Sequence, residues 1–289
     1  MGNLGVTNYP DEELRSTDIS GRWLYDARIE LKTNFVNYLE AGMRKFDPNF
    51  SFTPQERQGL QKIIDEILDP ASGRITLIED KPPKFSGCYY PSERRIELNS
   101  AAFKNSTDLM NVLTHELFHY ISYAGWPSTV FGDKRPSFSE GAGDFLAALI
   151  TVQCSEFQGG KYSRLLAEGY SVENFAVYAL LKSGRVKPHA LLEALLGSAY
   201  QGEFADGGNP EAEFVRQVES GARPGIVDEL FPESGEYMTP TLGRRADEDG
   251  FVRSRAAIFD LLAELGIDVD GMATEAHEDL QVDLFNWAW

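Results

Sequence analysis

The stretch Asn111-Val112-Leu113-Thr114-His115-Glu116-Leu117-Phe118-His119-Tyr120 constrains this chain more than any other. Positions four apart on an α-helix share a face. His115 and His119 therefore point at one spot, a turn apart, with Glu116 beside them. Two neutral imidazoles so placed suit a tetrahedral Zn²⁺, and the adjacent carboxylate can hold a water as general base. Val112, Leu113, Leu117, Phe118 and Ile121 would also give a plain core helix its apolar face. Yet a chain with four histidines in 289 residues rarely spaces two of them around a Glu in this way by chance.

The flanks fit the motif. Arg94-Arg95-Ile96-Glu97-Leu98-Asn99 alternates as a strand does. Asn105-Ser106-Thr107-Asp108 supplies N-cap candidates, and Gly125 with Pro127 marks the helix end.

A catalytic zinc takes three protein ligands and keeps one position open. No third histidine lies nearby. The next candidate is Glu140 in Ser137-Phe138-Ser139-Glu140-Gly141-Ala142-Gly143-Asp144-Phe145, with Asp144 one turn beyond it. Phe138, Phe145, Leu146, Leu149 and Ile150 make this second helix apolar, so two acids on one stripe of it require a reason.

In these residues the chain resembles the gluzincins, zinc peptidases with a thermolysin-like catalytic domain. There the third ligand is a Glu opening a Glu-x-x-x-Asp segment on the helix after the HExxH helix. The resemblance implies His115, His119 and Glu140 as ligands of one Zn²⁺, and Asp144 as the acceptor that orients a ligand imidazole. It implies Glu116 as general base in peptide hydrolysis. It also implies an edge strand along the cleft, and Arg95, Ile96, Glu97 and Leu98 are the expected substrate strand. The match runs from the Ile96 strand to the helix after Glu140 and covers nothing else. A Gly-x-Met-Glu-Asn segment, which holds a substrate N-terminus in the aminopeptidase branch, is absent, so endopeptidase action on a peptide or protein is favoured. The thermolysin-like Asn before the ligand Glu is replaced by Ser139, which leaves the outer partner of His119 open. Gluzincins also supply a downstream Tyr or His to the oxyanion. Tyr162, Tyr170, Tyr178, Tyr200, His189 and His277 are the candidates, with Tyr200 at the separation closest to the family pattern.

The expected fold class is α+β and mainly helical. A small sheet of short strands leads into the HExxH helix and the second ligand-bearing helix, as in zincins, and a largely helical C-terminal region follows. Residues 1–20 read as an irregular lead-in, 21–160 as the catalytic subdomain and 161–289 as an acidic helical subdomain completing the cleft. Apolar periodicity predicts a helix over 22–46, and Thr53-Pro54-Gln55-Glu56 caps another reaching Leu68. Strands are predicted over 75–79, 85–90 and 94–98, the last two as a hairpin. Further helices are predicted over about 162–168, 172–183, 188–197, 211–220, 254–265 and 273–284. Residues 201–210 and 221–253 read as loops, and the aromatic end Leu284–Trp289 as a docked tail.

Charge narrows the partners. The net charge is 27 − 45 = −18. Residues 203–289 hold 6 Arg, no Lys and 20 acids, or −14. Such a chain repels phosphate backbones and anionic lipid surfaces, so nucleic acid is excluded as a partner. The acidic third is either a solubility device or a surface for a basic partner. No apolar run is long enough to span a membrane, and the N-terminus shows neither a secretory leader nor a matching myristoylation pattern. The compartment does not follow from this. Two cysteines, Cys88 and Cys154, form no disulfide framework or metal spacing. Two alternatives remain: a zinc hydrolase acting on a non-peptide substrate, and a non-catalytic binding or scaffold protein of the same fold. A structural zinc would be closed by a fourth Cys or His, and none is evident.

Overall fold

The computed structural model describes residues 16–83, 85–124, 135–154, 171–197, 210–231, 248–272 and 275. In chain order these form α1 (Ser16–Met43), α2 (Pro54–Leu68), β1 (Ile75–Ile78), β2 (Gly87–Tyr90), β3 (Arg95–Asn99) and α3 (Ser106–Ala124). Then come α4 (Pro136–Gln153), α5 (Ser171–Lys182), α6 (Pro188–Leu196), α7 (Pro210–Val218), α8 (Ile226–Leu230) and α9 (Glu248–Glu264). The described chain is mainly helical with one three-stranded sheet, an α+β arrangement.

Local chemistry accounts for several boundaries. Thr53 Oγ1 accepts from the Glu56 amide at 3.2 Å, and Glu56 Oε2 accepts from the Thr53 amide at 2.6 Å. This capping box, with Pro54 at the first helical position, starts α2. At α3 the Asn105 side chain accepts from the Asp108 amide at 2.9 Å, and Asp108 accepts from the Lys104 amide at 3.1 Å. α1 begins at Ser16, inside the expected lead-in of residues 1–20. Periodicity registers only the part of a helix that packs on the core. The extra turn carries an exposed Ile19 ahead of the first buried apolar residue, Leu24. α8 was also unexpected, since 226–230 lies in a Gly- and Pro-rich stretch. Gly225 (φ 85°) turns the chain in the left-handed region, and Ile226, Val227 and Leu230 are then buried.

β3 is the central strand. It runs parallel to β1 with Ile96 opposite Ile75, and antiparallel to β2 with Ile96 opposite Tyr89. This corrects the expectation that Arg95, Ile96, Glu97 and Leu98 form the substrate-facing edge. Both sides of that strand are already hydrogen-bonded within the sheet. Ile96 and Leu98 are fully buried in the core, while Arg95 and Glu97 pair with each other at 2.6 Å. The two edges are β1 and β2, and β2 is the one against Glu116 of α3.

One buried apolar cluster runs from Leu24 on α1 to Ile267 after α9. α4 packs most extensively on α5 and α3, and α1 lies against both α3 and α4. Leu113, Leu117, Phe118, Phe145, Leu146 and Leu149 are buried there. Each such side chain contributes roughly 1.5–3 kcal/mol of transfer free energy. The two histidine- and acid-bearing helices are therefore held at their apolar faces, and their polar stripes are brought together by that packing. The expected subdomain boundary near residue 160, the predicted helix over 162–168, most of that over 273–284 and the 284–289 tail lie outside the described residues. No helix among the described residues is long and apolar enough to cross a membrane.

Candidate metal centre

α3 delivers His115, Glu116 and His119, and α4 delivers Glu140 and Asp144. His115 Nε2 lies 2.9 Å from His119 Nε2 and 3.1 Å from Glu140 Oε2, and His119 Nε2 lies 3.2 Å from the same oxygen. The three form a group with all donor atoms within 4.8 Å. A tetrahedral zinc with bonds of about 2.1 Å separates its donors by roughly 3.4 Å. The observed triangle is slightly tighter, so the donors need part by only a few tenths of an ångström to accept the ion. Two imidazoles and one carboxylate are also the right donor chemistry for it.

Each ring has a partner at its far nitrogen. Asp144 Oδ1 lies 2.7 Å from His115 Nδ1. Ser139 Oγ lies 3.4 Å from His119 Nδ1. A proton on each Nδ1 leaves both Nε2 lone pairs directed at the shared point. Ser139 thus occupies the role whose holder the sequence left open; its place directly before Glu140 was the available signal.

The groups are buried and strongly coupled. Burial alone would lower His115, but Asp144 and Glu140 overcome it and hold the metal-free imidazole well above its usual range. His119 is likewise raised, by Glu140 against the effect of burial. Glu140 is held well below the usual carboxylate range: burial opposes this, and the two imidazoles prevail. Glu116 is only 6% exposed, and burial pushes its carboxyl up, aided by Glu140 and Asp144 and opposed by both imidazoles. A poised, raised carboxylate is what a general base requires.

Two neighbours were not legible in the sequence. A Cβ on Gly87 of β2 would fall 2.8 Å from Glu116 Oε1, so the edge strand touches the candidate base. Glu173 on α5 is 8% exposed and its carboxyl is raised to about 7, chiefly by burial and then by Asp144 and Glu140. Cys88 and Cys154 form no disulfide with each other. Burial, then Glu116, pushes the Cys88 thiol up, which makes it a poor thiolate ligand or nucleophile.

Of the oxyanion candidates, Tyr178 is fully buried against Phe46, Phe145 and Phe175 as a core residue. His189 lies tilted against Phe50, ring centroids 4.6 Å apart, and 3.8 Å from Glu56 Oε1, among residues of the α1–α2 region. Tyr162, Tyr170, Tyr200 and His277 lie outside the described residues. No protein-family model, curated protein or solved structure matches the chain.

Proposed function

We propose that this chain is a zinc-dependent metallopeptidase with a zincin-like core, acting as an endopeptidase. The observation that carries the reading is the convergence of His115, His119 and Glu140 within about 3 Å of one another, with buried Glu116 beside them. When bound, zinc supplies Lewis acidity, acidifying water and polarising a carbonyl oxygen. Glu116 accepts the proton of the attacking water and returns it to the leaving amine. Asp144 and Ser139 keep the imidazoles in the tautomer that presents Nε2.

The edge strand supports a peptide substrate. The Asn99 amide donates to Ser86 O at 2.9 Å, so residues 86 and 99 form a hydrogen-bonded pair. With Gly87 opposite Leu98 and Tyr89 opposite Ile96, the peptide groups of Gly87 and Tyr89 point away from β3. Among the described residues no strand lies on that side. An extended peptide added there would run past Glu116. A non-peptide ligand has no comparable reason to need this edge.

The test combines metal analysis with hydrolysis. One zinc per chain in the parent, lost in both His119→Ala and Glu140→Ala, is expected. Cleavage of a quenched-peptide library by the parent should disappear in Glu116→Gln, which keeps its zinc. Zinc binding without Glu116-dependent cleavage would instead favour the scaffold alternative.

A further inference from the structure

We propose that Gly87 is a positioning residue for Glu116: the bare backbone of the edge strand forms one wall of the space in which the catalytic carboxylate is held. The inference rests on the metallopeptidase reading. Gly87 and Tyr89 are two apart on β2 and face the same side. There they meet α3 at successive turns, Tyr89 with its ring 5.6 Å from that of Tyr120, and Gly87 against Val112 and Glu116. At the Tyr120 end the gap holds an aromatic ring. At the Glu116 end it does not hold a methyl group. A Cβ on Gly87 would lie 2.6 Å from Val112 Cγ1, 2.9 Å from Glu116 Cγ and 2.8 Å from Glu116 Oε1.

Neither element can easily retreat. β2 is tied to β3 from Gly87 to Tyr90, and α3 is locked by fully buried Leu113, Leu117 and Ile121. The parts left to yield are the Val112 and Glu116 side chains, and relief of the two Glu116 contacts requires Glu116 to swing about its own χ angles. That movement takes its carboxylate from its present place against the Gly87 backbone. A displacement near 1 Å at a catalytic group lowers turnover by about 10²-fold. The candidate zinc donors lie on other positions of α3 and on α4, and none supplies the three atoms nearest to a Cβ on Gly87, so metal binding should survive.

The experiment places Gly87→Ala in the parent and in Glu116→Ala. Zinc content, urea midpoint, and kcat and KM on the best-cleaved quenched peptide are read. The expected result in the parent background is one zinc per chain, a KM within about threefold of the parent's and a kcat lower by about 10- to 100-fold. The loss in urea midpoint should also be smaller in Glu116→Ala, where one of the two side chains that the methyl strikes has been cut back and only the Val112 contact remains. An unchanged kcat, or an equal midpoint loss in both backgrounds, overturns the proposal. A rise in KM alone also overturns it, since that would make Gly87 a substrate contact. Failure of the underlying reading is separately visible, because it appears in the unsubstituted protein as absent zinc or as cleavage that survives Glu116→Gln; the proposal then falls with it.

Discussion

His115 Nδ1 sits 2.7 Å from Asp144 Oδ1 while its other nitrogen faces the shared donor point. The imidazole is thus held at both ends by side chains of α4, since Glu140 and Asp144 lie one turn apart on that helix. Removing the acceptor should loosen the ring and free its tautomer. Asp144→Ala is expected to weaken zinc affinity by about 10- to 100-fold, and chelator competition measures it. An affinity equal to the parent's would show that Asp144 does not orient the ligand.

Metal-free protein should show a characteristic pH dependence. His115 and His119 have raised folded pKa values, so the stability they contribute is complete below the unfolded value of about 6.5 and is lost as pH rises through the folded values. Glu140 is depressed, so its contribution is complete above the unfolded value of about 4.5 and is lost as pH falls. For these groups the stabilising window of the chelated protein lies between about pH 4.5 and 6.5. Urea midpoints after chelation, taken from pH 4 to 9, should peak there and fall on the alkaline side. Zinc must displace the imidazole protons, so its affinity should rise with pH over the same alkaline range, with proton release visible by calorimetry in buffers of different ionisation heat. A pH-independent affinity would contradict the coupling described.

Glu173 offers a separate titration. Its folded pKa of about 7 exceeds the ordinary carboxyl value, so the native state holds the proton more tightly than the unfolded chain does. Stability from this group is complete below about pH 4.5 and is lost as pH rises to about 7, a difference on the order of 3 kcal/mol. Glu173→Gln removes that dependence. The variant should be more stable than the parent at pH 8, and the gap should close toward pH 5. Equal differences at both values would show that Glu173 ionises normally.

Gly141 lets the start of α5 approach the ligand helix. A Cβ there would fall 2.5 Å from Glu173 Cβ, 2.7 Å from the Glu173 carbonyl carbon and 3.0 Å from the Asn174 amide nitrogen. Two of these atoms are backbone, so α5 as a whole must move. Gly141→Ala is expected to destabilise by about 1–3 kcal/mol despite alanine's better helix propensity. Because Glu140 is the adjacent residue, zinc affinity should fall as well. Denaturant unfolding and metal competition check the two effects; a more stable variant would mean that the helices slide apart freely.

Anchorage of the ligand helix extends to α8. Buried Arg135, just before α4, donates to the Phe231 carbonyl and pairs with Asp228 at 2.6 Å. Arg135→Met keeps the bulk and loses both contacts. It should lower the urea midpoint by the equivalent of about 1–3 kcal/mol through the buried carbonyl left without its donor. Asp228→Asn should do much less, since that partner is two-thirds exposed.

The candidate donors were legible because they depend on local regularity. His115, Glu116 and His119 follow from helical spacing, and Glu140 with Asp144 from the same spacing on the next helix. The capping box at Thr53 and the N-cap at Asn105 are also local, and both start helices where expected. The strand preceding the HExxH helix was recognisable from its alternation, yet alternation cannot say which strand is the edge. That depended on β1, two strands earlier in the chain, pairing directly and in parallel with β3, which left β1 and β2 as the edges in place of Arg95–Leu98.

What the sequence by itself determined is the candidate donor set, its order along the chain and the helices that bear it, since these arise from residues within a turn or two of each other. Tertiary structure alone decided that Ser139 serves His119, that Gly87 walls the space around Glu116, and that Glu173 lies buried behind the ligand helix. Those relationships depend on how closely two elements approach. Approach distance is set by the packing of whole apolar faces, a property that no short stretch of sequence carries.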